Sequence, residues 1–174
     1  MRVRSFIVAA CLLTPALTLS QSSIAQVPAK RLTIQVAGSI KKKEPDWRYV
    51  MGFCTCPPLL PSQISEDVAD WSRKRADGKS EWVAMQIHMI GNQKEAIDFM
   101  SHFSPGRLRA RSFEYKYPLG DEAVLIEYSA EDIKNPIQMW MRKDKFIVHL
   151  DGALPGTVIR FAQYALKNLP TGPP

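Results

Sequence analysis

Cys54-Thr55-Cys56, followed at once by Pro57-Pro58, is the tightest grouping of chemistry-bearing residues in the sequence. Three chemistries stay open for it. The pair can be a local structural disulfide or two plain thiols, a redox-active couple, or a soft-metal site whose thiolates take Cu(I) or zinc. A Cys-x-Cys disulfide closes a very small ring, and departure from relaxed disulfide geometry makes the bond easier to reduce. A thioredoxin-type centre would need Cys-x-x-Cys beside a βαβ unit, which the sequence lacks. On an extended strand both cysteines face one side, so Cys54 and Cys56 are the candidate metal-binding residues.

Softer donors recur on two strand-like segments. Met139 and Met141 flank Trp140, and Met85, His88 and Met89 fall together on another run. Thioether and imidazole suit Cu(I), but methionine on a sheet face more commonly packs a core. The remaining histidines are His102 and His149. His88 and His149 read as hydrogen-bonded or solvent-facing strand residues, and His102 as a cation favoured near a helix end. There is no G-x-S-x-G elbow, H-E-x-x-H pair, Walker lysine loop or Rossmann glycine fingerprint. No catalytic residue and no cofactor is assigned from the sequence. A dispersed enzyme site stays open, because sequence hides spatial proximity.

The first segment reads as an export address. Arg2 and Arg4 precede an apolar stretch from Phe6 to about Leu19, and Ser23-Ile24-Ala25 supplies small residues for cleavage. The apolar stretch falls short of the ~20 residues a span needs. Residues 1–25 are therefore expected to be a signal peptide. Cys11 has a lipobox-like spelling around it but sits inside the apolar run. Removal of two arginines takes the formal charge from +6 to +4. That modest balance, with no reading motif, argues against nucleic acid. No later apolar run reaches spanning length, so no transmembrane span is expected after cleavage. The compartment expected is periplasmic or extracellular.

The mature chain must position these groups with a mixture of strands and helices. Arg31 to Ile40 reads as a strand, with Leu32, Ile34 and Val36 alternating. Trp47 to Cys54 reads as a second. Residues 62–76 fit two patterns. Ile64, Val68 and Trp71 suit a helix, whereas the Asp77-Gly78 turn makes the preceding segment a hairpin arm. Glu81 to Ile90 is a strand, Gln93 to Phe103 an amphipathic helix, and Ser112 to Tyr117 and Ala123 to Tyr128 are strands. Ile137 to Arg142 and Lys145 to Leu150 pair across Lys143-Asp144, and Pro155 to Leu169 forms the last helix. Consecutive strands with short connections imply an antiparallel sheet. The expected fold is a single α+β domain over 26–170, an antiparallel sheet packed with two or three helices, with 171–174 a tail.

At Leu119-Gly120-Asp121-Glu122-Ala123, Gly120 permits a positive φ and Asp121 can accept backbone donors, which makes the two a structural turn. This run, the Met141-Arg142-Lys143-Asp144-Lys145 hairpin and the alanine-containing terminal helix resemble small secreted bacterial envelope proteins and lipoproteins, several of them similar to the PsbP/Mog1-type α/β/α sandwich. The resemblance covers about residues 93–169. It implies a fold and a compartment but no catalytic residue.

Three basic clusters, Lys41–Lys43, Arg73–Arg75 and Arg107/Arg109/Arg111, read as solvated surface. If they converge they suit an acidic protein or another anionic envelope component. The function expected is therefore an exported, non-catalytic binding or interaction domain of the cell envelope. A soft-metal or thiol-redox protein built on Cys54 and Cys56 is the alternative, and an enzyme with a dispersed site a third.

Overall fold

The computed structural model describes residues 31–52, 57–102, 112–128 and 137–170. The expected signal segment, Cys54, Cys56, Phe103, the arginines at 107, 109 and 111, and the tail lie outside the described residues. Along the chain run α1 (Leu32–Lys43), β1 (Arg48–Met51), β2 (Gln63–Lys74), β3 (Ser80–Ile90), α2 (Gln93–His102), β4 (Ser112–Lys116), β5 (Glu122–Tyr128), β6 (Ile137–Lys143), β7 (Phe146–Gly152) and α3 (Pro155–Asn168). The strands form one antiparallel sheet in the order β1-β2-β3-β7-β6-β5-β4. The domain is α+β, as short connections between successive strands require.

The strand expected at Arg31–Ile40 is instead the helix α1. Thr33, Val36 and Ile40 are its buried residues, and Ile34 is 46% exposed. The buried set follows helical spacing, and the apparent alternation of Leu32, Ile34 and Val36 is coincidental over so short a run. No side chain next to α1 in sequence caps it; the Thr33 N–H donates to Asp67 Oδ2 from β2 at 2.9 Å. The cap is supplied by tertiary structure, so no local capping signal marks the helix start. Residues 62–76 resolve as strand: Ala69 and Trp71 are buried alternately, and the Asp77-Gly78 turn, with Gly78 at φ 77°, joins β2 to β3. The β6–β7 turn lies one residue later than expected. It uses Asp144-Lys145 with Asp144 at φ 54°, and Lys143 pairs with Phe146.

α1 and α3 pack on one face of the sheet, hereafter the inner face. Strand alternation sends Val83, Met85, Ile87, Met139, Met141, Val148 and Leu150 inward. There they meet Val36 and Ile40 of α1 and Val158, Phe161, Ala162 and Ala165 of α3. Phe161 stands edge-on to Trp47 and Trp71, with ring centroids 4.9 and 5.4 Å away. Gly152 lets α3 approach, since a Cβ there would lie 2.7 Å from Val158 Cγ2. The two inner helices are joined by Ser39 and Asn168.

A polar clamp closes one end of this layer. Arg73 and Glu81 are cross-strand partners in the β2–β3 hairpin, and Arg73 donates from Nε and Nη2 to Glu81 Oε2 at 2.9 and 2.8 Å. Glu81 is 1% exposed, and its other oxygen accepts from Thr157 of α3 at 2.6 Å. Glu44, just past α1, accepts from Trp47, Arg160 and Tyr164. Burial pushes its carboxyl up, but these donors and the Arg160 charge outweigh it and hold the group below its usual value. The Arg73 guanidinium also sits over the Trp47 ring, 4.5 Å from its centroid. Thus α3, which lacks a side-chain cap and begins with Pro155 at its first turn, is tied to the sheet by a paired buried charge.

Candidate functional site

Among the described residues the opposite, outer face carries α2 and the loop with Leu59 and Leu60. Asn92 starts this helix, its Oδ1 accepting the Lys94 N–H at 3.0 Å. Glu95 in its first turn accepts from the Ser62 hydroxyl, anchoring the preceding loop. Ala96 and Met100 bury against Ile90, Ile147, Val124 and Ile126, with Phe99 and Trp140 beside them. α2 therefore covers the β5–β6–β7 side and the end of β3.

The register sets out what α2 leaves. Glu66, His88, Ile147 and Arg142 form one row across β2, β3, β7 and β6. Val68, Gln86, His149 and Trp140 form the next, and Asp70, Ala84, Asp151 and Gln138 the third. Val50 of β1 pairs with Asp70 and is 55% exposed; Ile64, on β2, is 60% exposed. The strip over β1, β2 and β3 thus combines exposed Val50 with the carboxylates of Glu66 and Asp70 and the cations of Arg48 and Lys74. Among the described residues Glu66 and Asp70 have no hydrogen-bond or ion-pair partner. Partial desolvation on the sheet surface pushes both carboxyls above their usual values.

His88 is 4% exposed. Gln63 Oε1 accepts the Leu59 N–H at 2.8 Å and lies 3.1 Å from His88 Nδ1. A carbonyl oxygen only accepts, so Nδ1 carries the hydrogen and Nε2 holds the lone pair. That Nε2 is buried without a partner. Burial, and then the charge on His149, push the imidazole pKa down to about 4. His149 stacks on Trp140 at 4.0 Å between ring centroids; its Nδ1 approaches Gln86 and its Nε2 lies 3.4 Å from Asp151 Oδ2. Neither strand histidine is solvent-facing.

The structure separates the soft donors considered from sequence. Met85, Met139 and Met141 are fully buried in the inner core, while His88 lies on the outer face. They share no site. No group of three or more His, Cys, Asp or Glu suited to a metal ion occurs among the described residues. Cys54 and Cys56 lie outside that set. The basic clusters do not form one described surface. Arg73 is held by Glu81 and Glu44, Lys41–Lys43 end α1, and the third cluster is outside the described residues.

Gly120 has φ +64°, and a Cβ there would fall 2.4 Å from the Arg142 carbonyl oxygen. Asp121 accepts from Arg142 Nη1 and Lys143 Nζ at 3.1 and 2.9 Å and from the Asp144 N–H at 2.6 Å. Burial raises this carboxyl, but the Asp144 amide and the Lys143 and Arg142 charges outweigh it and hold it low. Each Asp121 oxygen is engaged in joining the β4–β5 connection to the β6–β7 hairpin.

Sequence reasoning did not single out Glu66, Asp70, Gln63 or the Arg73–Glu81 pair. The last had a signal: counting outward from Asp77-Gly78 sets Arg73 opposite Glu81 once residues 62–76 are read as a strand. The outer strip had none, since it depends on where α2 lies.

Among the described residues these features define an antiparallel α+β domain with two helices on one face and one on the other. Comparison with protein families, curated proteins and solved structures finds no match to this chain.

Proposed function

We propose that this protein is an exported, non-catalytic binding domain of a bacterial cell envelope, and that it presents the outer strip over β1, β2 and β3 to a partner. The observation that carries the reading is that strip: exposed Val50 with Arg48, Glu66, Asp70 and Lys74, of which Glu66 and Asp70 have no partner among the described residues, and exposed Ile64 at the β2 bulge on the same strand. Apolar side chains at 55% and 60% exposure next to partly desolvated carboxylates favour an interaction surface. The described polar clusters elsewhere are closed on themselves: Glu81 with Arg73 and Thr157, and Asp121 with Arg142, Lys143 and Asp144. That arrangement supports a structural use for them. By strand parity the strip also carries exposed Arg48 and Lys74, and this mixed charge favours an envelope protein over a uniformly anionic envelope component at this surface. No helix among the described residues is long and apolar enough to cross a membrane. The layering of helices on both sheet faces supports the PsbP/Mog1-type resemblance as a proposal about architecture alone.

The test is a photo-crosslinking amino acid placed at Ser72 on the strip, and separately at the exposed Gln163 of α3, in cells of the source bacterium. A discrete adduct from position 72 and none from 163, with a purified N-terminus at Gln26, is the expected result. Equal labelling at both positions, or Met1 retained in a cytosolic fraction, refutes the reading.

A further inference from the structure

The two helices on the inner side of the sheet have a solvent face of their own, and its charge is one-sided. α1 and α3 together hold Lys41, Lys42, Lys43, Arg160 and Lys167 and no aspartate or glutamate. α2, by contrast, sets Glu95 and Asp98 against Lys94. Ser39 meets Asn168, while Glu44 meets Arg160 and Tyr164. The inner helices therefore run antiparallel, with Lys41–Lys43 beside the stretch from Arg160 to Lys167. Successive helical residues turn by about 100°. Gln35, Gly38 and Lys42 thus lie opposite the buried Val36 and Ile40, and Gln163 and Lys167 opposite the buried Val158, Phe161 and Ala165. All four lysines are exposed.

The carboxylates at the rim of this face do not cancel it. Glu44 is closed by Arg160, Trp47 and Tyr164, Asp67 caps the far end of α1, and Asp77 is paired with Arg75. That leaves, among the described residues, Asp46 in the α1–β1 loop and Glu127 inward at the end of β5. Of the segments outside the described residues only 129–136 contains acid, Glu131 and Asp132 beside Lys134.

We propose that this basic face docks the protein on the anionic headgroup plane of a phospholipid membrane. The inference goes beyond the strip over β1, β2 and β3, which lies on the other side of the sheet and is turned away from such a membrane. Two observations favour lipid over an acidic protein. The exposed large apolar groups of the two helices and their flanks are Ile34 and Leu154, with no aromatic among them, so the face lacks the desolvated anchors in which protein interfaces concentrate their energy. Its unpaired cations are lysines, hydrated point charges on flexible stems, where bidentate recognition of a fixed partner uses the arginine fork. Lysines of this kind are drawn to a dense plane of charge without fixed partners. Ile34, 46% exposed and two turns before Lys41, brings one apolar side chain to the same side of α1.

The test is co-sedimentation of the full chain, as purified from the exporting cells, with phosphatidylcholine vesicles that contain or lack phosphatidylglycerol. The expected result is binding only where phosphatidylglycerol is present, weakening on going from ~50 to ~300 mM salt. Lys42→Gln and Lys167→Gln, one on each helix, each weaken binding about fivefold, and the double variant about 25-fold. Both positions are exposed, so the unfolding midpoint stays as in the native chain. Lys94→Gln, on the outer face, makes the same change in net charge and leaves vesicle binding unchanged. Equal binding to phosphatidylcholine alone, binding that ignores Lys167→Gln, or an equal loss with Lys94→Gln overturns the inference. Absence of binding to phosphatidylglycerol vesicles also overturns it, and capture of poly-glutamate through the same lysines in that case makes an acidic protein the occupant. A lipid-facing α3 also accounts for the absence of a protein adduct expected at position 163.

Discussion

His88 gives the fold a measurable dependence on acid. It lies under the loop carrying Leu59 and Gln63, donates from Nδ1 to Gln63 Oε1, and leaves a buried Nε2 without a partner. The folded pKa is about 4 against 6.5 for the free side chain. The unfolded chain therefore takes up the proton first as pH falls. Stability from this residue is complete above pH 6.5, declines as pH drops through the window from 6.5 to 4, and is lost below it. A gap of that size corresponds to about 3 kcal/mol, with about 2 kcal/mol gone by pH 5. The charged groups around it are Glu66 across β2, His149 on β7 and Arg142 further along its row. The depressed carboxylates Glu44 and Asp121 lose their contribution only at lower pH, below their ordinary values of 4.5 and 3.8. Glu66 and Asp70, raised in the fold, act in the opposite sense above their ordinary values, since the folded state holds those protons more readily. All four carboxyls are unchanged in His88→Asn, so comparison with that variant separates His88 from them.

The assay is urea unfolding followed by tryptophan fluorescence at several pH values between 7.5 and 5, on the native chain and on His88→Asn. Asparagine keeps a donor toward Gln63 and cannot titrate. The native chain loses about 2 kcal/mol across the interval, while His88→Asn loses much less, although it starts lower by about 1 kcal/mol for its smaller buried volume. Parallel pH profiles for the two proteins would refute the buried, neutral assignment of His88.

Other substitutions test the remaining structure by the same unfolding assay. Ile40→Ala costs about 2–5 kcal/mol and Ile34→Ala less than about 0.5 kcal/mol, because α1 buries the first and exposes the second; equal costs would contradict the helix. Glu81→Ala costs about 3–5 kcal/mol by stripping the buried partner from Arg73 and Thr157. A loss within about 0.5 kcal/mol would show that the clamp contributes little. Gly120→Ala costs on the order of 3 kcal/mol through its positive φ and the contact with the Arg142 carbonyl oxygen, and an unchanged unfolding midpoint would exclude that geometry.

Most of the strand-rich body was legible because its local signals agree. β3, β6, β7 and the helices α2 and α3 each join hydrophobic periodicity to a punctuating turn, and the structure places them within a residue or two of where the pattern does. The antiparallel arrangement followed from their short connections. α1 was not legible. Its start is capped by Asp67, 34 residues away, and its sequence holds the β-branched Thr33, Ile34, Val36 and Ile40, whose propensity favours a strand. Packing of three of these four on α3 and the sheet overrides that preference. The segment 62–76 was undecidable alone, because Ile64, Val68 and Trp71 fit helical spacing while the strand puts Val68 and Trp71 on opposite faces.

The same distinction explains why the candidate surface escaped the sequence. Histidine and methionine drew attention as potential ligands, but strand parity divides them between faces: Met85 and Met89 inward, His88 outward. Once parity is assigned, the outward set of β2 becomes Glu66, Val68, Asp70 and Ser72, a mixed strip of the kind water tolerates. Its significance comes only from α2. That helix covers the β5–β6–β7 side of the outer face and does not reach β2, which at 12 residues is the longest strand described. On the inner face the same strand is covered and holds Ala69 and Trp71 fully buried. A long strand buried on one side and carrying partly desolvated, unpaired carboxylates on the other is stable as it stands, because each carboxyl still reaches water. Covering Glu66 and Asp70 without pairing them costs more than burying Val50 and Val68 gains, so any added layer must either bring donors to these carboxylates or leave them to Arg48 and Lys74, the cations of the same strip.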